Sequence, residues 1–322
     1  MNKRVYGVLG ISSIMANWNA DFSGYPKTTS DGSIFGSDKA FKYPIKKMWE
    51  NQAKKVLYIK SYKLSEDKKE GTRLVPRSLK ERYEQLFGIK DLSDVQDGKK
   101  VINDLFSCID VKNFGATFAE KSFNVSITGA VQIGQGFNKY EDSNAEEQQI
   151  LSPFRDATKD NKKSAKEEEN DGEAKNSTLG TKIVSNEAHY VYPFTINPMA
   201  YKEYVELDVT NGYTEEDYLE FKKASLVAAT SYATNSKIGC ENELGVFIET
   251  KPDVYLPNLA ELVEFTKGEK LNEIRLNFSS LLAELKEGIL SVEIYYNPYT
   301  TNISIDIEGA RKFNIFTKNE VE

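Results

Sequence analysis

The stretch from Tyr140 to Gly180 contains "DATKDNKKSAKEEENDGEAKNS" and is nearly devoid of large apolar residues, so burial cannot offset the entropy of ordering it. Strand-like sequence flanks it at residues 123–133 and 187–196, and the two flanks read as parts of one sheet. The chain is therefore expected to form a single domain over residues 1–322, carrying 140–180 as a flexible insertion loop. Other strand candidates are 4–13, 55–60, 243–250, 290–296 and 302–307; the last two flank "NPYT", which reads as a hairpin turn. Helical spacing places Val101, Leu105, Cys108 and Ile109 on one face. "YTEEDYLEFKKASLVAATSY" opens on a Thr214 cap, and "LNEIRLNFSSLLAELKEG" reads as a third helix. With few parallel βαβ repeats visible, the expected class is α+β with a mainly antiparallel sheet.

No apolar run is long enough to span a bilayer. Lys3 and Arg4 followed by "VYGVLGISSIMA" imitate a secretory signal, but the segment reads better as a buried first strand. Cys108 and Cys240, far apart, suit a reduced, cytoplasmic chain, which makes the four Asn-x-Ser/Thr sequons chance matches. His189 is the only histidine, and in "AHYVYPF" it reads as a strand residue with a satisfied ring nitrogen. Neither cysteine has metal-ligand spacing, and no phosphate-loop or dinucleotide fingerprint is complete. The expectation is no catalytic site, no metal and no cofactor.

Net charge is −7, unfavourable for contact with nucleic acid, yet the charges are segregated. Residues 39–82 hold fourteen basic and five acidic side chains, whereas 141–175 hold eleven acidic and six basic. Within the basic stretch, "GSDKAFKYPIKKMWEN" offers Ser37 or Asp38 as a cap, with Phe41, Ile45, Met48 and Trp49 on one face. Lys39, Lys42 and Lys46 fall on the opposite face, a ridge suited to following phosphates without reading bases. Pro44 is expected to kink this helix or mark its first turn. A second stretch, "SITGAVQIGQGFN", reads as a strand ending in a bulge, or as a side-chain-poor platform where Gln amides meet phosphate and sugar oxygens.

These stretches recur in family order with "RVYGVLGISSIMANWNAD", "DVKNFGATFA", "LGTKIVSNEAHYVYPFTINP" and, more weakly, "SYATNSKIGCENELGVFIE". Over about residues 4 to 250 the chain resembles the Cas7 family, the backbone subunits of type I CRISPR surveillance complexes (Cascade), in its subtype I-B branch. The resemblance implies a modified RRM, ferredoxin-like palm with helical insertions and a thumb loop. It also implies copies stacked head to tail along a CRISPR RNA, support for guide–target DNA pairing, other Cascade subunits as neighbours and no membrane. Carried over by position, Lys42 and Lys46, with Lys39, would contact phosphates. Asn17 and Asn19 would approach the RNA beyond the first strand. Gln132, Gln135, Gly136 and Asn138 would line the palm, and Lys182 would lie at the thumb's returning base. A second reading keeps the fold but has Asp21 or Asp31 hold a divalent metal and cut target RNA, as in related type III subunits. A third is a structural interaction protein that binds no nucleic acid.

Overall fold

A computed structural model of the chain describes residues 1–67, 71–121, 123–151, 179–305, 307 and 309–321. At its centre β1 (Arg4–Ala16) pairs antiparallel with β10 (Leu179–Ile196) on one side and β11 (Cys240–Thr250) on the other. Val5, Leu9 and Ile11 point into one packed layer, Tyr6 and Val8 into the other. Because both faces are covered, β1 reads as an unbroken apolar run instead of an alternation.

Beyond β11 the sheet continues through β14 (Ile289–Tyr296) to β16 (Arg311–Asn314). Beyond β10 it continues through β8 (Gly136–Asn138) to β2 (Phe35–Gly36), while β7 (Val131–Ile133) and β9 (Ala145–Leu151) pair with the two ends of β10. Only the β14–β16 pairing in this sheet is parallel. One face carries α1 (Asp38–Asn51), α2 (Leu79–Phe87), α3 (Gly98–Phe106), α4 (Ile109–Phe114), α5 (Lys202–Glu206), α6 (Glu215–Ser225) and α7 (Ala228–Ser231). The other face carries a small sheet of β12 (Val263–Thr266), β13 (Asn272–Leu276) and β15 (Thr301–Ser304), with α8 (Ser279–Glu284). Two ribbons, β3 (Tyr62–Asp67) with β4 (Gly71–Pro76) and β5 (Gly115–Glu120) with β6 (Phe123–Thr128), complete the described residues. The class is mixed α and β with mainly antiparallel sheets, as the sequence implied.

The caps form as read. Ser37 Oγ accepts the Ala40 N–H, and Thr214 and Asp217 form a reciprocal capping box, each cap contributing about 1 kcal/mol. Helix α1 runs through Pro44, which leaves the Ala40 carbonyl without its usual donor.

Four expectations change. Residues 55–60 form no ladder: the Asp110 carboxylate accepts the Leu57 and Tyr58 N–H groups, and Arg82 donates to the Val56 carbonyl. "NPYT" closes no hairpin, because β15 pairs with β13 in the small sheet while β14 stays with β11. "LNEIRL" is strand β13, its Asn272, Ile274 and Leu276 alternately buried at a period of two. Within the 140–180 insertion, β9 and the first residues of β10 form an antiparallel arm from Ala145–Ser185 to Leu151–Leu179. Residues 152–178 of that insertion lie outside the described residues.

The strand read as 123–133 breaks at Gly129, where β6 ends and β7 begins. Between Ile133↔Phe194 and Phe137↔Val191 the chain takes four steps against three on β10, so a bulge sits at Gly134–Gln135, as expected from the glycines. Beyond it Gly136 pairs with Gly36, both lying against Tyr192, whose hydroxyl accepts the Trp18 indole N–H at 2.6 Å. A Cβ on Gly136 would stand 2.3 Å from the fully buried Tyr192 ring. Gly136→Ala is expected to cost about 1–3 kcal/mol, whereas Gly98→Ala, with open space around it, is expected to cost under about 0.5 kcal/mol. Chemical denaturation of the two variants checks the difference, and equal midpoints would refute the close approach.

Candidate nucleic-acid interface

Helix α1 buries Phe41, Ile45 and Trp49, so its periodicity turns Lys39, Lys42 and Lys46 together toward an open groove of about 480 Å³. The opposite walls are Tyr58, residues 114–117 and Ile127, with Asp110 at the floor. The three lysines are brought together as predicted, but they are not equivalent. Lys39 is exposed and makes no ion pair with a described residue. Lys42 Nζ lies 2.8 Å from Asp38 Oδ2, one turn back, and 5.3 Å from the Phe114 ring centroid. Lys46 is partly buried without a direct carboxylate partner among the described residues; burial lowers its pKa, and the field of Asp110 opposes that shift.

Asp110 lies in this floor, 2% exposed, accepting Leu57 N–H at 2.9 Å and Tyr58 N–H at 2.7 Å. Burial raises its pKa. The Tyr58 hydroxyl donates to the Thr117 carbonyl at 2.6 Å, and burial together with Asp110 pushes its pKa up to about 12. Asp110 thus fixes a loop that carries no ladder of its own and supplies the buried countercharge facing Lys46.

The glycine-rich strand meets this groove only in part. Gly136 departs from expectation as a palm contact: it pairs with Gly36, the residue before the Ser37 cap, and both glycines are buried against Tyr192, so their missing side chains make room for that ring and not for a ligand. Gln135 is exposed at the bulge. Gln132 departs from expectation. Val131 and Ile133 face the helical core, so strand alternation turns Gln132 to the other face, where it lines a separate groove with Tyr6, Thr195 and Leu256. Asn138 is committed internally: its Oδ1 accepts the N–H groups of His189 and Tyr140, and its Nδ2 donates to the Tyr140 carbonyl.

Asn17 also departs from expectation as an exposed contact. It is 4% exposed, and its amide donates to the carbonyls of Gly24 at 2.8 Å and Ile183 at 3.2 Å, tying the loop after β1 to the arm. Asn19 is partly buried, its Oδ1 accepting the Ser37 N–H at 2.8 Å, so it braces the start of α1. Lys182 lies on the arm opposite Gln148, partly exposed and unpaired among the described residues. Asp21 Oδ1 accepts the Ser23 and Tyr25 N–H groups within its own turn, and exposed Asp31 is held below the usual carboxylate range by Thr29 and by the Ser33 backbone. Among the described residues no three His, Cys, Asp or Glu side chains gather as metal ligands, and no helix is long and apolar enough to cross a membrane.

A cationic helix face lining an open groove, on a mainly antiparallel α+β fold, is a surface suited to an extended polyanion. Residues 3–281 match the family model of the CRISPR-associated protein Cas7, and the chain belongs to that family. Its fold is similar to that of a chain in a "CRISPR RNA-guided surveillance complex, pre-nicking", with TM-score 0.54 and 14% identity over 98% of this chain and 96% of that one. A chain of a further "CRISPR RNA-guided surveillance complex" is 15% identical with TM-score 0.47, over 92% and 91%. No curated protein matches the sequence.

Sequence reasoning missed Asp110 and Tyr58. "DVKNFGATFA" contributed to the resemblance, but nothing local marks Asp110 as a partner of amides more than fifty residues away. Asp110→Ala leaves the buried Leu57 N–H and the partly buried Tyr58 N–H without their carboxylate and is expected to cost about 1–3 kcal/mol for the buried group alone. A denaturation midpoint unchanged from the parent would refute that role.

Proposed function

We propose that this chain is a CRISPR RNA-binding backbone subunit of a type I, I-B-like Cascade, stacking head to tail along the guide in the cytoplasm. In this reading the modified RRM-like palm grips the sugar-phosphate backbone, the arm with residues 140–180 acts as the thumb, and target DNA pairs with the exposed guide bases. The observation that carries the proposal is the groove lined by Lys39, Lys42 and Lys46 of α1 in a member of the Cas7 family. A subunit that accepts any spacer needs contacts to phosphate and ribose and leaves sequence discrimination to base pairing. Lys39, Lys42 and Lys46 supply the charge, exposed Gln135 supplies a neutral amide, and Lys182 adds a cation on the arm.

Protein purified from a host carrying a CRISPR array is expected to retain RNA of defined length, seen as excess absorbance at 260 nm and as a discrete band on a denaturing gel. For captured single-stranded guide, each lost phosphate contact removes about 0.7 from the slope of log affinity against log salt. The Lys42→Met, Lys46→Met double variant should therefore flatten that slope by about 1.4. A salt dependence identical to the parent, or protein free of RNA, would sink the proposal. The subunit is read as non-catalytic: complementary RNA with magnesium or manganese should remain uncut, and periodic cuts abolished by Asp21→Ala or Asp31→Ala would overturn that part.

A further inference from the structure

His189 is buried where five segments meet at the root of the arm. From its own strand Glu187 Oε1 lies 2.9 Å from Nε2, and from β11 Glu243 Oε2 lies 2.7 Å from Nδ1. A neutral imidazole carries one N–H and would set its other lone pair against a carboxylate oxygen. Two carboxylates on two ring nitrogens therefore fit the imidazolium.

The remaining neighbours tie this cation to both sides of the junction. Lys267, following β12, donates to the same Glu187 oxygen at 2.6 Å, and Thr301 of β15 donates to Glu243 at 3.4 Å. The Phe265 ring of β12 stacks on the imidazole with centroids 3.7 Å apart, and Tyr140 stands edge-on to both rings. The His189 N–H donates to Asn138 Oδ1 and the His189 carbonyl accepts the Lys139 N–H, which holds the segment leading into β9. Glu187 sits two residues from Ser185, where β10 pairs with Ala145 at the arm's root. The groups facing the ring are thus Glu187, Glu243, Lys267 and Tyr140, with one lysine against two carboxylates once the imidazole is neutral.

We propose that protonated His189, bridging Glu187 and Glu243, is the lock that holds the root of the β9–β10 arm against the β12–β13 sheet, and that loss of its proton releases that root. Burial opposes the charge, yet Glu243 and Glu187 together hold the imidazole pKa above its ordinary value. Glu187 is held below the usual carboxylate range against burial by Lys267 and His189. Because the histidine pKa is raised on folding, its stabilisation is complete below the unfolded pKa and fades as pH rises through the folded one. The bearing of the lock on guide RNA rests on the function proposed above; the lock itself does not.

The single histidine makes the test direct, because tag-free full-length protein gives one imidazole Cε1 proton resonance. In RNA-free protein that resonance should titrate above the ordinary histidine range. Amide exchange protection of residues 138–140, 185–189 and 263–267 should fall at least tenfold across the same titration. His189→Gln should show low protection that does not change with pH, and Lys267→Met, at a half-exposed site, should weaken protection of 263–267 while the imidazole still titrates. A titration at or below the ordinary value, or protection indifferent to it, would overturn the lock. Because no RNA is present, that failure is distinguishable from failure of the RNA-binding reading, which the salt-slope measurement decides.

Discussion

One strand constrains the rest of the molecule. β10 runs unbroken from Leu179 to Ile196, pairing with β1 along one edge and, in succession, with β9, β8 and β7 along the other. Its Tyr190, Tyr192, Phe194 and Ile196 enter the helical core while Val191 enters the opposite one, so its position is fixed by burial on both faces. Each fully buried aromatic or aliphatic side chain contributes about 1.5–3 kcal/mol. The Gly36–Gly136 pair, the bulge and the arm are all registered against this strand, and Tyr192 is the surface over which Gly36 and Gly136 close.

The electrostatics follow a similar economy of placement. On a chain with net charge −7, many cations are already spent: Lys42 on Asp38, Lys54 on Glu220, Lys63 on Glu81, Lys237 on the carbonyls of Asn17 and Trp18. What distinguishes the α1 groove is the arrangement of its charges: an exposed Lys39, a paired Lys42 and a partly buried Lys46 whose counterion lies in the floor. Such an arrangement concentrates positive potential on one face of an otherwise acidic protein.

Elements whose cause is local were readable from the sequence. Ser37 caps α1, the apolar stripe of that helix selects the lysine face, Thr214 opens α6, and the glycines mark the bulge. Elements whose cause is distant were not. Residues 55–60 have strand composition, but their N–H groups go to Asp110, and "NISIDI" has strand composition but finds its partner in β13 instead of β14. Gln132 and Gln135 look equivalent until the bulge and the burial of Val131 and Ile133 assign each its side. Asn17 looked like a loop donor because nothing in its neighbourhood announces Gly24 and Ile183 as acceptors.

The arm shares its inner strand with the core sheet, without a turn or hinge residue between Leu179 and Ile196. A pull along the arm's axis is therefore borne by the β1–β10 ladder in shear, many backbone hydrogen bonds sharing the load at once, where a separately hinged hairpin would peel open bond by bond. The projection behaves as the protruding end of a beam whose other end is set into the molecule, and displacement at its root is transmitted to β1 with little loss.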